Sequence, residues 1–170
     1  MVEIDIRRKG KGMDLLKQLA AGKFHIVLAS PPRSTFSRAR RRGDRGPKPL
    51  RSDRYPRGFP WLGPHARKSV ADANKLVDCT AAAIATQLPH GGILLESPEG
   101  LGRTRTEKPS SIWRWPCIKK LLGYVGVHWG ACYQQDFGTD YLKPTRLLLN
   151  FLGPRTLGLV LSGMVQPAWK

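Results

Sequence analysis

Two short polar motifs each follow an apolar run, and their residue types could do chemistry. A Ser-Pro-Pro-Arg motif at 30–33 follows the run 24–29, and a Glu-Ser-Pro motif at 96–98 follows the run 93–95. The apolar bias predicts buried strands. The prolines end these strands because proline cannot donate to a sheet ladder. Open α/β sheets place their ligands at the carboxyl ends of strands, so the sequence predicts a site at these two motifs.

The elements that must position these motifs alternate between strands and helices. The apolar patterns predict strands at 2–6, 24–30, 93–96, 125–133, 146–151 and 156–161, and helices at 13–21, 64–88 and 112–122. The clearest helix is 64–88, whose apolar residues recur at intervals of three or four. The helix 112–122 is interrupted or begins at Pro116. This alternation predicts an α/β domain with a largely parallel sheet.

Composition restricts the class of protein. The chain has 170 residues, of which 41% are hydrophobic, which fits one domain with a sizeable core. No stretch approaches the ~20 apolar residues of a membrane span, and residues 1–11 have no secretory h-region. The three cysteines form no CxxC pair. We therefore expect an intracellular protein in a reduced compartment, with no membrane contact and no metal site.

The charge is strongly positive and unevenly distributed. The net charge is +17. Residues 33–57 contain ten basic and two acidic residues. Such a segment attracts polyanions, and the alternative is a solvated basic loop without a specific partner. An anionic membrane fits less well, because 38–57 contains no amphipathic helix. The Pro/Gly/Arg loop 38–64 is too long for a simple connection, which predicts that it is functional or disordered.

Four motifs stand in an order that resembles the DNA cytosine-5 methyltransferases, in particular their phage-like members. They are Ser-Pro-Pro-x-x-x-Phe-Ser at 30–37, Glu-Ser-Pro at 96–98, Ser-Ile-Trp-Arg-Trp-Pro at 111–116, and Asp-Phe-Gly-Thr followed by Lys-Pro-Thr-Arg-Leu within 136–147. Each motif alone is weakly specific. The ordered set covers roughly residues 2–151.

The resemblance implies a Rossmann-like, S-adenosylmethionine-dependent methyltransferase core with a largely parallel sheet. This core would occupy residues 1–152, with the basic loop at 38–64, and would leave a C-terminal strand and tail at 153–170. The family's Gly-rich cofactor loop should precede the strand 2–6, so we expect a core that lacks its first strand and helix. The reaction implied is methyl transfer from S-adenosylmethionine to cytosine in DNA.

Two departures from the family pattern bear on the chemistry. Arg33 stands where the family has its cysteine nucleophile, and Ser97 replaces the usual asparagine. Methylation at C5 needs a thiolate that adds at C6, and a guanidinium is always protonated and cannot do this. Arg33 could instead contact a phosphate or a flipped base, or remain a solvated loop charge.

The resemblance also assigns roles to other residues. The carboxyl group of Glu96 would hold the cytosine ring at N3, and the alternative is that it pairs with an arginine such as Arg103. For the cofactor, Asp5 would bind the ribose hydroxyls and Asp14 the adenine, with Ser30 and Pro31 beside them. The alternative for the two aspartates is that they are ordinary surface carboxylates.

The candidate nucleic-acid contacts are all basic. They are Arg38, Arg40, Arg41, Arg42, Lys143 and Arg146. The tryptophans at 113, 115 and 129 could stack on bases, although their apolar neighbours favour core packing. We therefore expect a methyltransferase-like protein that is inactive or incomplete, with DNA as its partner. The alternatives are a non-catalytic nucleic-acid-binding module that uses the Arg-rich loop, and a decayed fragment with no independent function.

Overall fold

The strand before the Pro-Pro motif and the strand that carries Glu96 lie side by side. The computed structural model describes residues 5, 10–36, 48–100, 102 and 108–153. In it, β1 (Ile26–Ala29) and β2 (Gly92–Pro98) form a parallel pair. Helix α2 (Pro64–Gln87) lies between them in the chain, as the crossover between parallel strands requires. Both strands therefore end at the same edge of the sheet.

Helix α2 confirms the predicted helix 64–88. It begins with Pro64, whose fixed φ suits a first helical turn. Its buried stripe is Val70, Ala73, Val77, Ala81 and Ile84, the spacing that the sequence indicated. Helix α1 (Lys11–Ala20) packs against α2 and lies within one or two residues of the predicted helix 13–21.

The sheet is mixed, so the prediction of a largely parallel sheet is wrong for the described strands. The remaining strands are β3 (His128–Tyr133) and β4 (Pro144–Leu149), and the order is β1-β2-β4-β3. Strand β4 is antiparallel to both β2 and β3. The reason is the connection between β3 and β4, which at 134–143 is too short for a crossover and contains only a 3₁₀ turn.

Three of the four strands nevertheless run in one direction. Since β1 is parallel to β2, and β4 is antiparallel to both of its neighbours, β1, β2 and β3 point the same way. Their carboxyl ends and the start of β4 therefore share one edge of the sheet. The described chain is an α/β fold, and this edge is where such sheets place ligands.

The main core lies on one face of the sheet. It joins α2 to β2 and β4 and to the 3₁₀ turn Ile112–Arg114 and α3 (Pro116–Leu121). The 3₁₀ turn ends at Arg114 and α3 begins at Pro116, which confirms that the predicted helix 112–122 is interrupted at this proline. Trp113 and Trp115 are buried in this core, which confirms the packing role predicted for them. Trp129 differs, because 45% of it is exposed.

Several predicted elements lie outside the described residues. These are the strand 2–6, of which the structure describes Asp5 alone, the strand 156–161 and, beyond residue 153, the predicted C-terminal tail. Among the residues that the structure describes, no helix is both long enough and apolar enough to cross a bilayer.

Candidate functional site

Glu96 lies at the shared edge and is held by groups from two other elements. Ser30 Oγ donates a hydrogen bond of 2.6 Å to Oε2. Lys143 Nζ donates one of 3.2 Å to Oε1. The Glu96 side chain is 19% exposed, so it is reachable from solvent although two of its acceptor positions are filled.

The strand register explains why these residues meet. Ala29 pairs with Leu95 in the parallel β1–β2 ladder. The next residues of the two chain segments, Ser30 after β1 and Glu96 in β2, therefore lie side by side. Lys143 immediately precedes β4, which pairs with β2 and starts at the same edge. Its carbonyl oxygen accepts hydrogen bonds from Gln134 N at 3.0 Å and from Thr145 Oγ1 at 3.2 Å, which fix the backbone there.

Arg33 reaches the same carboxylate from the Pro-Pro loop. One of its guanidinium nitrogens lies 3.8 Å from Glu96 Oε1, and its side chain is 51% exposed. A hydrogen bond from Phe36 N to the Arg33 carbonyl oxygen closes a turn after the two prolines. Arg33 therefore belongs to the Glu96 site, but its head remains open to solvent, and an ion pair this exposed is weak.

We call the group Ser30, Arg33, Glu96 and Lys143 the edge site. It brings together four of the residues that the sequence singled out, from two loops and one strand. Glu96 pairs here with Lys143 and Arg33, whereas Arg103, the alternative partner, lies outside the described residues. Two cations around one carboxylate leave the edge site with an excess of one positive charge.

No cysteine of this chain is a ready thiolate. Burial raises the pKa of Cys79, and burial followed by the charge of Asp78 raises the pKa of Cys117. Burial raises the pKa of Cys132 as well, with further contributions from Asp136 and Glu96 that the Lys143 charge opposes. Since the thiolate is the nucleophilic form, none of the three offers the nucleophile that the resemblance to the methyltransferases implies.

The residues predicted to bind S-adenosylmethionine lie in the Pro-Pro loop, in α1 and at position 5, and their cofactor role stays a prediction. The single hydroxyl proton of Ser30 is donated to Glu96, and Pro31 is buried and has no N–H group. Asp14 lies exposed in the first turn of α1, and Asp5 is half-buried. Among the described residues, no group of three or more His, Cys, Asp or Glu side chains could hold a metal ion.

Arg146 lies in β4 and already has a partner. It forms a two-point pair with the buried carboxylate of Glu99, at 2.5 and 2.8 Å. Its guanidinium also stacks on Trp129, 4.1 Å from the ring centroid. A phosphate would have to compete with Glu99 for Arg146, so its predicted DNA contact remains a prediction. Glu99, three residues after Glu96, is not among the residues that the sequence predicts for a site.

Residues 48–62 pack on helix α2, a contact that the sequence did not predict. We call these residues the docked loop. Its centre is Arg51, which is completely buried. Arg51 donates hydrogen bonds of 2.9 Å each to Pro56 O, Asn74 Oδ1 and Thr35 Oγ1. Its guanidinium also lies 3.9 Å from the Phe36 ring centroid. Arg51 therefore fastens the docked loop to both α2 and the Pro-Pro loop.

Two further contacts hold the docked loop on the same helix face. Arg57 forms a two-point pair with Asp78 at 2.6 and 2.8 Å. Gly58 has a φ of +113°, and a Cβ there would lie 2.6 Å from Val70 Cγ1. Val70, Asn74 and Asp78 follow one another at intervals of four, so they share one face of α2. That spacing was a signal that the sequence offered.

The arginines at 38, 40, 41 and 42, predicted to bind DNA, lie outside the described residues. Comparison with known proteins adds no assignment, because no family model, no curated protein and no solved structure matches this chain.

Proposed function

We propose that this protein is a nucleic-acid-binding domain that resembles the DNA cytosine-5 methyltransferase core and recognises a cytosine base without methylating it. The observation that carries the proposal is the edge site. A Pro-Pro loop and a strand-end carboxylate meet there through the 2.6 Å hydrogen bond from Ser30 to Glu96. Arg33 and Lys143 stand beside that carboxylate.

The donors and acceptors of this site suit the edge of a cytosine. A carboxylate accepts readily from the exocyclic N4 amino group of cytosine. A carboxylate has about four lone-pair positions, and Ser30 and Lys143 use two of those on Glu96. The partly exposed guanidinium of Arg33 supplies donors for the carbonyl oxygen O2 and for N3 of cytosine. Thymine has no amino group at that position, so it would not satisfy Glu96.

The charge of the chain supports a nucleic acid rather than a free base. The net charge of +17 and the basic segment 33–57 favour a polyanion whose phosphates release counterions on binding. A base within a strand also brings binding energy from its neighbours. A flipped or single-stranded base can enter a surface site of this kind at a cost of a few kcal/mol.

Methyl transfer is the second candidate, and the meeting of the two family motifs at Glu96 favours it. It requires a nucleophile at C6, for which Arg33 is chemically unsuited. It also requires bound S-adenosylmethionine, and the hydroxyl proton of Ser30 is already donated to Glu96. The test is transfer of tritium from labelled S-adenosylmethionine into DNA. Transfer by the unmodified chain that is lost in Glu96→Gln would favour the enzyme over the binding domain.

The experiment for the proposal is fluorescence anisotropy with single-stranded DNA in which one central base is cytosine or thymine. We expect the unmodified chain to prefer cytosine, and Glu96→Gln to reduce that preference by between about 5-fold and about 150-fold, the range for one good base contact. Affinity for the thymine strand should change little, because its phosphate contacts are kept.

The matched control is Asp72→Asn, which removes one exposed carboxylate on α2 away from the edge site. It should leave the ratio of the two affinities unchanged. The proposal is contradicted if the unmodified chain binds both strands equally, or if Glu96→Gln leaves the ratio as it was.

A further inference from the structure

Three aromatic rings of the docked loop pack against one another. The indole of Trp61 lies almost parallel to the Phe59 ring, with centroids 4.9 Å apart and planes 12° apart. Tyr55 meets both rings edge-on, at 5.8 Å from Phe59 and 5.4 Å from Trp61. These distances and angles are those of favourable aromatic pairs, so the indole has a defined orientation.

The loop holds Trp61 without burying it. Phe59 covers one face of the indole, yet Trp61 is 67% exposed. Arg67 donates hydrogen bonds to the carbonyl oxygens of Pro60 at 3.5 Å and Leu62 at 3.1 Å, which fixes the backbone on both sides of Trp61. A tryptophan that served only to fasten the loop would gain its stability from burial. This one presents its outer ring face to solvent.

One cation lies beside the aromatic group, and a second is exposed in the helix that follows it. The guanidinium of Arg54 lies 5.6 Å from the centroid of Tyr55, the ring that borders Trp61. Arg54 is exposed, and so is Lys68 in the first turns of α2, seven residues beyond Trp61. A flat aromatic face beside exposed positive charge is the combination that binds single-stranded nucleic acid, where bases stack and phosphates pair with cations.

We infer that Trp61 is a stacking platform for one unpaired base of a DNA strand whose phosphates lie along Arg54 and Lys68. The inference rests on the proposed function, because it requires DNA on this surface. Stacking depends on the π-face that every base has, so this site contributes affinity without choosing a base. Arg51 fastens the docked loop to Thr35 of the Pro-Pro loop, and so the platform and the edge site belong to one connected unit.

The test compares the unmodified chain with Trp61→Ala and Trp61→Phe in binding to labelled single-stranded DNA of about 12 nucleotides, within the usual range of site sizes. Loss of one stacked base should weaken binding by between about 5-fold and about 150-fold in Trp61→Ala. Trp61→Phe should retain most of the affinity. The control is Tyr124→Ala, which removes an exposed aromatic ring that lies between α3 and β3, at the opposite edge of the sheet.

A second measurement separates stacking from damage to the fold. A strand with abasic sites keeps its phosphates but has no rings to stack, so the unmodified chain and Trp61→Ala should bind it equally. Stacking should also quench tryptophan fluorescence when intact DNA is added, and Trp61→Phe should remove that part of the quenching.

Two outcomes overturn the inference in distinguishable ways. If the unmodified chain binds DNA and Glu96→Gln changes base preference, but Trp61→Ala has no effect, the platform is wrong and the proposed function stands. The exposed stack would then suit contact with a protein. If the unmodified chain binds no DNA, the proposed function fails and the platform fails with it.

Discussion

Replacement of Arg51 by methionine should loosen the docked loop and lower the stability of the whole domain. Arg51 is completely buried, and three acceptors at 2.9 Å surround its guanidinium: Pro56 O, Asn74 Oδ1 and Thr35 Oγ1. Methionine fills a similar volume without donors, so these acceptors lose their partner. Lysine keeps the charge, but its single compact head cannot meet acceptors in several directions at once.

The expected loss follows from these contacts. Hydrogen bonds to a charged group contribute about 1.5–3 kcal/mol each, but three on one head are not additive. The guanidinium also loses its contact with Phe36 at 3.9 Å, while its own desolvation penalty disappears. We expect Arg51→Met to cost about 2–4 kcal/mol of unfolding free energy. A loss of about 3 kcal/mol corresponds to a Tm lower by roughly 6–12 °C in a chain of this size.

The sign of the pH dependence follows from the burial of Arg51. Burial, and then the nearby charge of Arg57, lowers the pKa of Arg51 from its usual value to about 10. Below pH 10 the residue is charged both folded and unfolded, so its contribution is constant. At a pH between the pKa of Arg51 in the folded chain and its higher pKa in the unfolded chain, the unfolded chain binds more protons than the folded chain. The stability of the wild type therefore rises with pH in that range. The deficit of Arg51→Met should therefore be equal at pH 7 and pH 9 and should widen above pH 10.

Urea unfolding followed by circular dichroism measures these effects. The control is Arg54→Met, an exposed arginine three residues away, which should stay within about 0.5 kcal/mol of the wild type. A double-mutant cycle with Asn74→Ala should give a coupling of about 1–2 kcal/mol. The reasoning is refuted if Arg51→Met is as stable as Arg54→Met, because the loop would then be held by packing and not by the guanidinium.

Three further predictions address charge, backbone and buried pairing. If about six phosphates are contacted, DNA affinity should fall by roughly 10³ between 50 and 200 mM salt in anisotropy titrations, and a variant with four arginines replaced by alanine should depend less on salt. Those four are Arg38, Arg40, Arg41 and Arg42. Gly58→Ala should cost about 1–3 kcal/mol in urea unfolding, because φ is +113° and the new Cβ would lie 2.6 Å from Val70 Cγ1. Gly63→Ala is its control, since nothing lies within 4 Å of a Cβ there, and equal losses would contradict the account. Glu99→Gln should cost about 3–5 kcal/mol, because it leaves the partly buried Arg146 without its carboxylate; a loss under about 1 kcal/mol would show that the pair is dispensable.

Local sequence patterns predicted the elements but not the direction of every strand. The apolar stripe of α2 and the prolines at 64 and 116 gave helix starts that the structure confirms. The direction of β4 depends on the length of the connection from β3, at 134–143, and on which strand of the sheet has an edge free to pair. These are properties of the assembled sheet, and strand periodicity carries no signal for them.

The edge site could be predicted because it is built from strand ends. Residues that follow parallel strands converge at one edge, so Ser30 and Glu96 could be placed together from the sequence. The role of Arg51 could not, because it lies in a Pro/Gly/Arg segment where arginines look alike. Only the packed structure distinguishes this buried arginine, which meets three acceptors, from the exposed Arg54.

The chemistry of the edge site favours recognition of a base over two other uses. A site for phosphate alone would not place Glu96 between Lys143 and Arg33, since a carboxylate repels the anion. A site for thiolate addition would not have a guanidinium at the nucleophile's position in a chain where burial raises the pKa of every cysteine. A base edge needs donors and acceptors together, and its strand needs positive charge nearby. A carboxylate between two cations provides both, which supports the proposal that the edge site holds a base.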